Sequence, residues 1–138
     1  GHLIAVSWEK GKILEITPDG QLTELVSNGF FSGRFQNLSG VDFDRWGNMY
    51  VSDLTKGKIW RMTRDQRFQV IAEYLITPSD VSINRANNLI LVPYQYAHGA
   101  EINGLEAPSD GKPKGEKRNL ADYGFMPPKP SAEGASKK

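Results

Sequence analysis

The side chains best suited to polar chemistry in this chain are two serines and two aspartates, Ser39, Asp53 and the adjacent Ser79 and Asp80. A carboxylate can meet a cation or a substrate, and a hydroxyl nearby can help to orient either. Each aspartate also has a purely local reading. Asp53 ends a strand-like run before Leu54-Thr55-Lys56-Gly57 and suits an Asx-type brace of that turn. Asp80 opens another run and suits hydrogen bonds to neighbouring backbone amides. His98 sits in the aromatic, polar stretch Tyr94-Gln95-Tyr96-Ala97-His98-Gly99, with no second His or spaced carboxylate to make a metal site or a catalytic base pair. His2 lies at the terminus. Trp8, Trp46 and Trp60 offer either a stacking platform for a sugar or apolar packing between layers, and Trp60, with Ile59 and Met62 beside it, fits the packing role. Neither Ser7 nor Ser52 lies in a Gly-x-Ser-x-Gly elbow, so a serine hydrolase is unsupported. The chain has no Cys, which removes disulfides, thiolate catalysis and Cys-ligated zinc.

Composition narrows the partners further. The 138 residues carry 17 Lys+Arg against 16 Asp+Glu, a formal charge of +1. So even a balance lacks the sequence-independent attraction on which nucleic-acid binding rests, and no RNP, finger or Arg-rich element replaces it. No nucleic acid is expected as partner. No apolar run approaches the roughly 18 residues of a membrane span, so no transmembrane segment is expected, nor does the start read as a secretory leader.

These side chains must be positioned by β structure. From Leu3 to Leu105, short runs rich in β-branched and aromatic residues alternate with Gly, Asn, Asp and Lys turns, and no window sustains a 3.6-residue apolar period. Ten strands are expected: Leu3 to Ser7, Lys12 to Thr17, Leu22 to Val26, Ser39 to Phe43, Met49 to Ser52, Lys58 to Thr63, Phe68 to Glu73, Asp80 to Ile83, Leu89 to Pro93 and Ala100 to Gly104. Pro18-Asp19-Gly20, Lys10-Gly11-Lys12, Trp46-Gly47-Asn48 and Lys56-Gly57-Lys58 supply the turn chemistry between them. Beyond Ala107 the composition changes. Five of the eight prolines fall there, interleaved with Lys, Gly and Ser, and residues 107–138 read as an extended Pro/Lys/Gly-rich tail. Within it Leu120, Tyr123, Phe125, Met126, Pro127 and Pro128 form an apolar patch that reads as a docking peptide of polyproline character or as a sticky stretch of tail.

The chain repeats itself. A shift of 46 residues lays His2 to Val26 on Asn48 to Ala72 without a gap, matching Lys10-Gly11-Lys12-Ile13 with Lys56-Gly57-Lys58-Ile59, Thr17 with Thr63 and Asp19 with Asp65. A shift of 40 lays Asn37 to Val51 on Thr77 to Leu91, matching Ser39 with Ser79, Val41 with Val81, Arg45 with Arg85 and Asn48 with Asn88, while Asp44 faces Asn84. A unit of about 40–46 residues with four short strands and no helix is the signature of a β-propeller blade. The fold class expected is all-β, a partial β-propeller over residues 1–106, with blades at about 1–36, 37–76 and 77–106. The strands fall three, four and three, which makes about two and a half blades. Val41, Phe43, Val81 and Ile83 are expected to alternate into the core between sheets, and Ser39, Asp53, Ser79 and Asp80 become channel-mouth candidates.

The segment Leu38-Ser39-Gly40-Val41-Asp42-Phe43-Asp44-Arg45-Trp46-Gly47-Asn48-Met49-Tyr50-Val51-Ser52-Asp53, followed by Lys56-Gly57-Lys58-Ile59-Trp60-Arg61-Met62, resembles a blade of the SMP-30/gluconolactonase and NHL-type propellers. Pro78-Ser79-Asp80-Val81-Ser82-Ile83 with Asn88-Leu89-Ile90-Leu91-Val92-Pro93 is similar to the closing blade of SMP-30-like proteins. The resemblance covers about residues 3 to 105 and implies a C-terminal part of a six-bladed fold. It also implies a calcium-dependent lactone hydrolase, whose cation is held by a Glu, an Asn and an Asp above the channel. In this chain the Glu and Asn positions would precede Gly1, and the Asp position corresponds to Ser39, a poor replacement toward a hard dication.

Two functional classes follow. The leading expectation is a non-catalytic binding or accessory subunit, without cofactor, whose incomplete propeller is closed by another protein chain or by self-association. The alternatives are a C-terminal fragment of a calcium-dependent lactonase, and peptide or carbohydrate binding on the channel face. The resemblance implies a periplasmic or extracellular setting, with the cytoplasm as the alternative.

Overall fold

The computed structural model describes residues 1–27 and 33–105. The domain boundary expected near residue 106 and the tail, including Leu120, Tyr123, Phe125, Met126, Pro127 and Pro128, lie outside the described residues. What is described is all-β, with no helix and ten strands in three antiparallel sheets. Sheet one contains β1 (Leu3–Val6), β2 (Ile13–Ile16) and β3 (Leu22–Val26). Sheet two contains β4 (Leu38–Phe43), β5 (Met49–Asp53), β6 (Lys58–Met62) and β7 (Phe68–Ala72). Sheet three contains β8 (Ser82–Asn84), β9 (Leu89–Pro93) and β10 (Ala100–Gly104). Each sheet is an up-and-down meander in chain order, and every expected strand is present within about two residues of its expected ends.

The 46-residue repeat holds at the level of single turns. Gly11 and Gly57 both take the left-handed region, at φ 55° and 60°, and Gly20 and Gln66 do so at 85° and 61°. The bulge between Ile13 and Leu14 in the β2–β3 pair recurs between Ile59 and Trp60 in the β6–β7 pair. Thr17 Oγ1 donates to Asp19 Oδ1 at 2.5 Å, and Thr63 Oγ1 donates to Asp65 Oδ1 at 2.5 Å. Those hydroxyls hold both carboxyls below the usual carboxylate range. The 40-residue match runs one residue out of register at the β8–β9 turn. Asn84 pairs with Leu89, whereas β4 and β5 pair at Phe43 and Met49. Asn88, at φ 54°, therefore does the work of Gly47, at φ 81°, rather than that of Asn48.

Alternation along the strands gives each sheet two faces, and the sheets pack in series. Ile4, Val6, Ile13 and Val26 form the forward face of sheet one and pack on Met49, Val51, Trp60, Met62 and Phe68, the rear face of sheet two. Tyr50 and Ile59, on the forward face of sheet two, pack with Ile71 and Ala72 against Val81, Ile83, Ile90 and Val92 on the rear of sheet three. All five residues of β5 are buried, because both its faces are covered. Ile13 and Ile59, equivalent in the repeat, are each fully buried and each point toward the next sheet. Phe35 meets the Trp60 ring edge-on at 5.4 Å and the Phe68 ring at 5.3 Å, closing the first interface.

Candidate functional site

Ser39, Asp53, Ser79 and Asp80 lie at one rim, where β4 and β8 begin and β5 ends, and most of their hydrogen-bonding capacity goes to the backbone. β4 bulges between Leu38 and Val41, and Gly40 donates from the bulge to Ser52 Oγ at 2.8 Å, deep in the interior. This bend carries Ser39 to the next sheet, where its Oγ donates to the Ser79 carbonyl at 2.5 Å. Ser79 hydrogen-bonds in turn to the Pro93 carbonyl through its amide at 3.0 Å and its hydroxyl at 3.2 Å. Asp80 is exposed, and its Oδ1 accepts from the Val81 amide at 2.7 Å. A Cβ on Gly40 would lie 2.7 Å from both Asp80 Cα and Val81 N, so the rim closes only because position 40 has no side chain.

Asp53, fully buried, faces the other way. Its carboxylate accepts from the amides of Gln36 at 2.9 Å, Asn37 at 3.2 Å and Lys56 at 3.2 Å, tying the β5–β6 turn to the segment entering β4. The four candidates thus divide. Ser39, Ser79 and Asp80 meet across the junction of sheets two and three, and Asp53 does not join them.

Residues not singled out as sites prove central to the geometry. Asp44 is buried at the opposite rim and accepts from the Trp46 amide (2.9 Å), the Asn48 amide (2.9 Å), Asn48 Nδ2 (2.7 Å) and the Tyr50 hydroxyl (3.0 Å). Burial pushes the Tyr50 phenol up, and the Asp44 charge adds to the effect against the Arg61 guanidinium. Arg45 donates to the Arg85 carbonyl at 2.9 Å and to the Ala86 carbonyl at 2.9 Å, while Arg85 returns an ion pair to Asp42. Asp42 also accepts from the Ile83 amide at 2.7 Å. The match of Arg45 with Arg85 was the available signal for the lock between sheets two and three, which Arg45, Arg85 and Asp42 make, whereas Asp44 and Asn84 each brace a turn within their own sheet.

The exposed rim near Ser79 carries apolar groups. Tyr74 is 89% and Ile76 62% exposed, beside an open depression of about 610 Å³ that Leu54 and Lys56 also line. Tyr74 and Thr77 hold positive φ, 62° and 49°, and Thr77 Oγ1 accepts from the amide of the exposed Tyr96. His98 is exposed in the neighbouring β9–β10 loop. The three tryptophans do not form a platform. Trp60 packs between sheets one and two, Trp46 lies under the Arg45 guanidinium at 5.8 Å, and Trp8 is an exposed turn residue.

The calcium implied by the resemblance does not fit these residues. Among the described residues no three His, Asp or Glu side chains converge, and the hydroxyl of Ser39, where the resemblance would place the Asp ligand, donates to a backbone carbonyl. No helix among them is long and apolar enough to cross a membrane. No family model and no curated protein matches the chain.

Proposed function

We propose that this chain is a non-catalytic binding or accessory subunit built on part of a β-propeller, and that its two terminal sheets are binding surfaces for another polypeptide. The observation that carries this reading is the pair of largely apolar sheet faces at the ends of the series, which no other described residues cover. The rear face of sheet one presents Leu3, Ala5, Leu14, Ile16 and Leu22, because Leu3 pairs with Ile16, Ala5 with Leu14 and Ile16 with Leu22, and it also carries Glu24, opposite Leu14 and ion-paired to Lys12. Leu3 is 67% and Leu22 62% exposed. The forward face of sheet three presents Leu89, Leu91, Pro93, Ala100 and Ile102 by the same pairing logic, with Leu91 40% exposed and the polar Ser82 and Asn84 of β8 along one edge. Apolar sheet faces of this kind mark interaction sites in soluble proteins.

One feature counts against hydrolysis at this rim. Ser39, Ser79 and Asp53 direct their polar atoms to backbone groups. The test compares thermal unfolding with and without calcium, alongside a lactone-hydrolysis assay and capture of binding chains by wild type and by L3K and L91E. The reading expects no calcium-dependent rise in Tm, no hydrolysis, and binding that weakens in the face variants. Calcium stabilisation with hydrolysis overturns it in favour of the lactonase. A folded monomer whose end faces bind nothing also overturns it.

A further inference from the structure

We infer that the occupant of these end faces is a second copy of this chain, joined head to tail, with the rear face of sheet one seated on the forward face of sheet three of the other copy. The inference rests on the partial-propeller reading and names its partner. The 46-residue repeat converts each apolar residue of the open rear face of sheet one into one on the covered rear face of sheet two, and the charged Glu24 into Val70. Leu3 corresponds to Met49, Ala5 to Val51, Leu14 to Trp60, Ile16 to Met62 and Leu22 to Phe68. In sheet two those positions pack under the forward face of the preceding sheet. The open rear face is thus shaped to receive a forward face, and the described residues leave one such face uncovered, that of sheet three. Leu91 and Ile102 pair across β9 and β10 as Tyr50 and Arg61 pair across β5 and β6 on the covered forward face of sheet two. A contact between copies would repeat one that the chain already makes twice internally.

Size favours a closed pair over a single contact. Three strands about 4.8 Å apart, with four or five residues at about 3.3 Å each, outline a face of roughly 15 by 15 Å. With side-chain relief it offers on the order of 400 Å² of accessible surface, about half of the roughly 800 Å² per partner in a standard interface. Two copies related by a two-fold axis make this contact twice and reach that area. They place six sheets in one ring, within the four to eight blades of closed propellers. A head-to-tail contact that failed to close would propagate into a filament.

The test is sedimentation equilibrium of the full chain across a concentration series. Wild type is expected at about twice the 15.4 kDa chain mass. L3K and L91E, placed on the two different end faces, are each expected to halve that mass while keeping the β-sheet circular dichroism. An equimolar mixture of the two variants is expected to recover the dimer, because a mixed pair has one unaltered contact and one in which lysine faces glutamate. If L3K fails to fold, L22K on the same face replaces it. A wild-type monomer at every concentration, an open-ended series of polymers, or a dimer that only one of the two variants dissociates each overturns the proposal. The broader binding reading survives a wild-type monomer if another protein occupies the same faces and L3K and L91E release it.

Discussion

Replacing Gly40 with alanine puts a methyl group where β4 and the segment entering β8 already touch. The new Cβ would lie 2.7 Å from Asp80 Cα and 2.7 Å from Val81 N, nearly 1 Å inside ordinary contact, and both are backbone atoms that no rotamer change can move. To relieve the overlap, sheets two and three must separate locally. That would strain the 2.5 Å bond from Ser39 Oγ to the Ser79 carbonyl and the buried 2.8 Å bond from the Gly40 amide to Ser52 Oγ. Overpacking of this kind costs about 1–3 kcal/mol, and a weakened buried hydrogen bond adds about 1 kcal/mol. The expected loss is therefore about 2–4 kcal/mol, or a fall in Tm of at least about 8 °C for a domain of this size. Urea and thermal unfolding at fixed protein concentration would measure it, with G33A as the control, because a Cβ there meets nothing within 4 Å. G33A should stay within about 0.5 kcal/mol of wild type. If G40A matched wild type as closely, the close junction of sheets two and three, and the serial packing built on it, would be refuted.

D44A removes the acceptor for two amides, the Asn48 side chain and the Tyr50 hydroxyl, and leaves buried donors unpaired; equilibrium denaturation should show a loss of about 3 kcal/mol or more. D53A strips the acceptor from three backbone amides and should cost about 2–4 kcal/mol, with amide exchange accelerated at Gln36, Asn37 and Lys56. In alkali the phenols decide the direction. Burial and the hydrogen bond to Glu101 push Tyr94 up to about 12, and burial raises Tyr50 as well, so the unfolded chain releases both protons first. The stabilisation is complete below about pH 10, falls above it, and is lost as the folded phenols ionise. Tyrosinate absorbance and far-UV circular dichroism followed together should show unfolding accompany ionisation, with Y94F moving the onset to higher pH.

The strands and their grouping were legible because two periods coincide in the sequence, the two-residue alternation along strands and the repeat of 46. Thr17-Pro18-Asp19-Gly20 and Thr63-Arg64-Asp65-Gln66 adopt the same turn although glycine becomes Gln66, since the Thr hydroxyl and the Asp carboxylate set the geometry. The register of β9 was not legible. Asn48 and Asn88 align by identity, but Asn tolerates positive φ, so Asn88 can serve as the left-handed residue where Gly47 serves in sheet two. At the rim, Asp53 was readable as a turn brace from its place before Thr55-Lys56-Gly57. Its bonds to Gln36 and Asn37 were not, because they come from a segment sixteen and seventeen residues earlier. The convergence of Ser39 and Ser79 was implied by their shared place in the repeat, but the approach at Gly40 depends on a bulge that no residue type announces.

Solvent accessibility of the Leu3, Leu22 and Leu91 methyl groups in the native protein, measured by NMR relaxation from a soluble paramagnetic agent, tests most directly whether the end faces are covered. In an isolated chain these methyls are exposed and Ile13 and Ile59 are not. A head-to-tail pair of copies predicts that all three leucines become as protected as Ile13 at working concentration, and that in L91E the protection of Leu3 and Leu22, on the opposite face, is lost as well. Leucines that remain as accessible in the native protein as the ring of Tyr74 would contradict it.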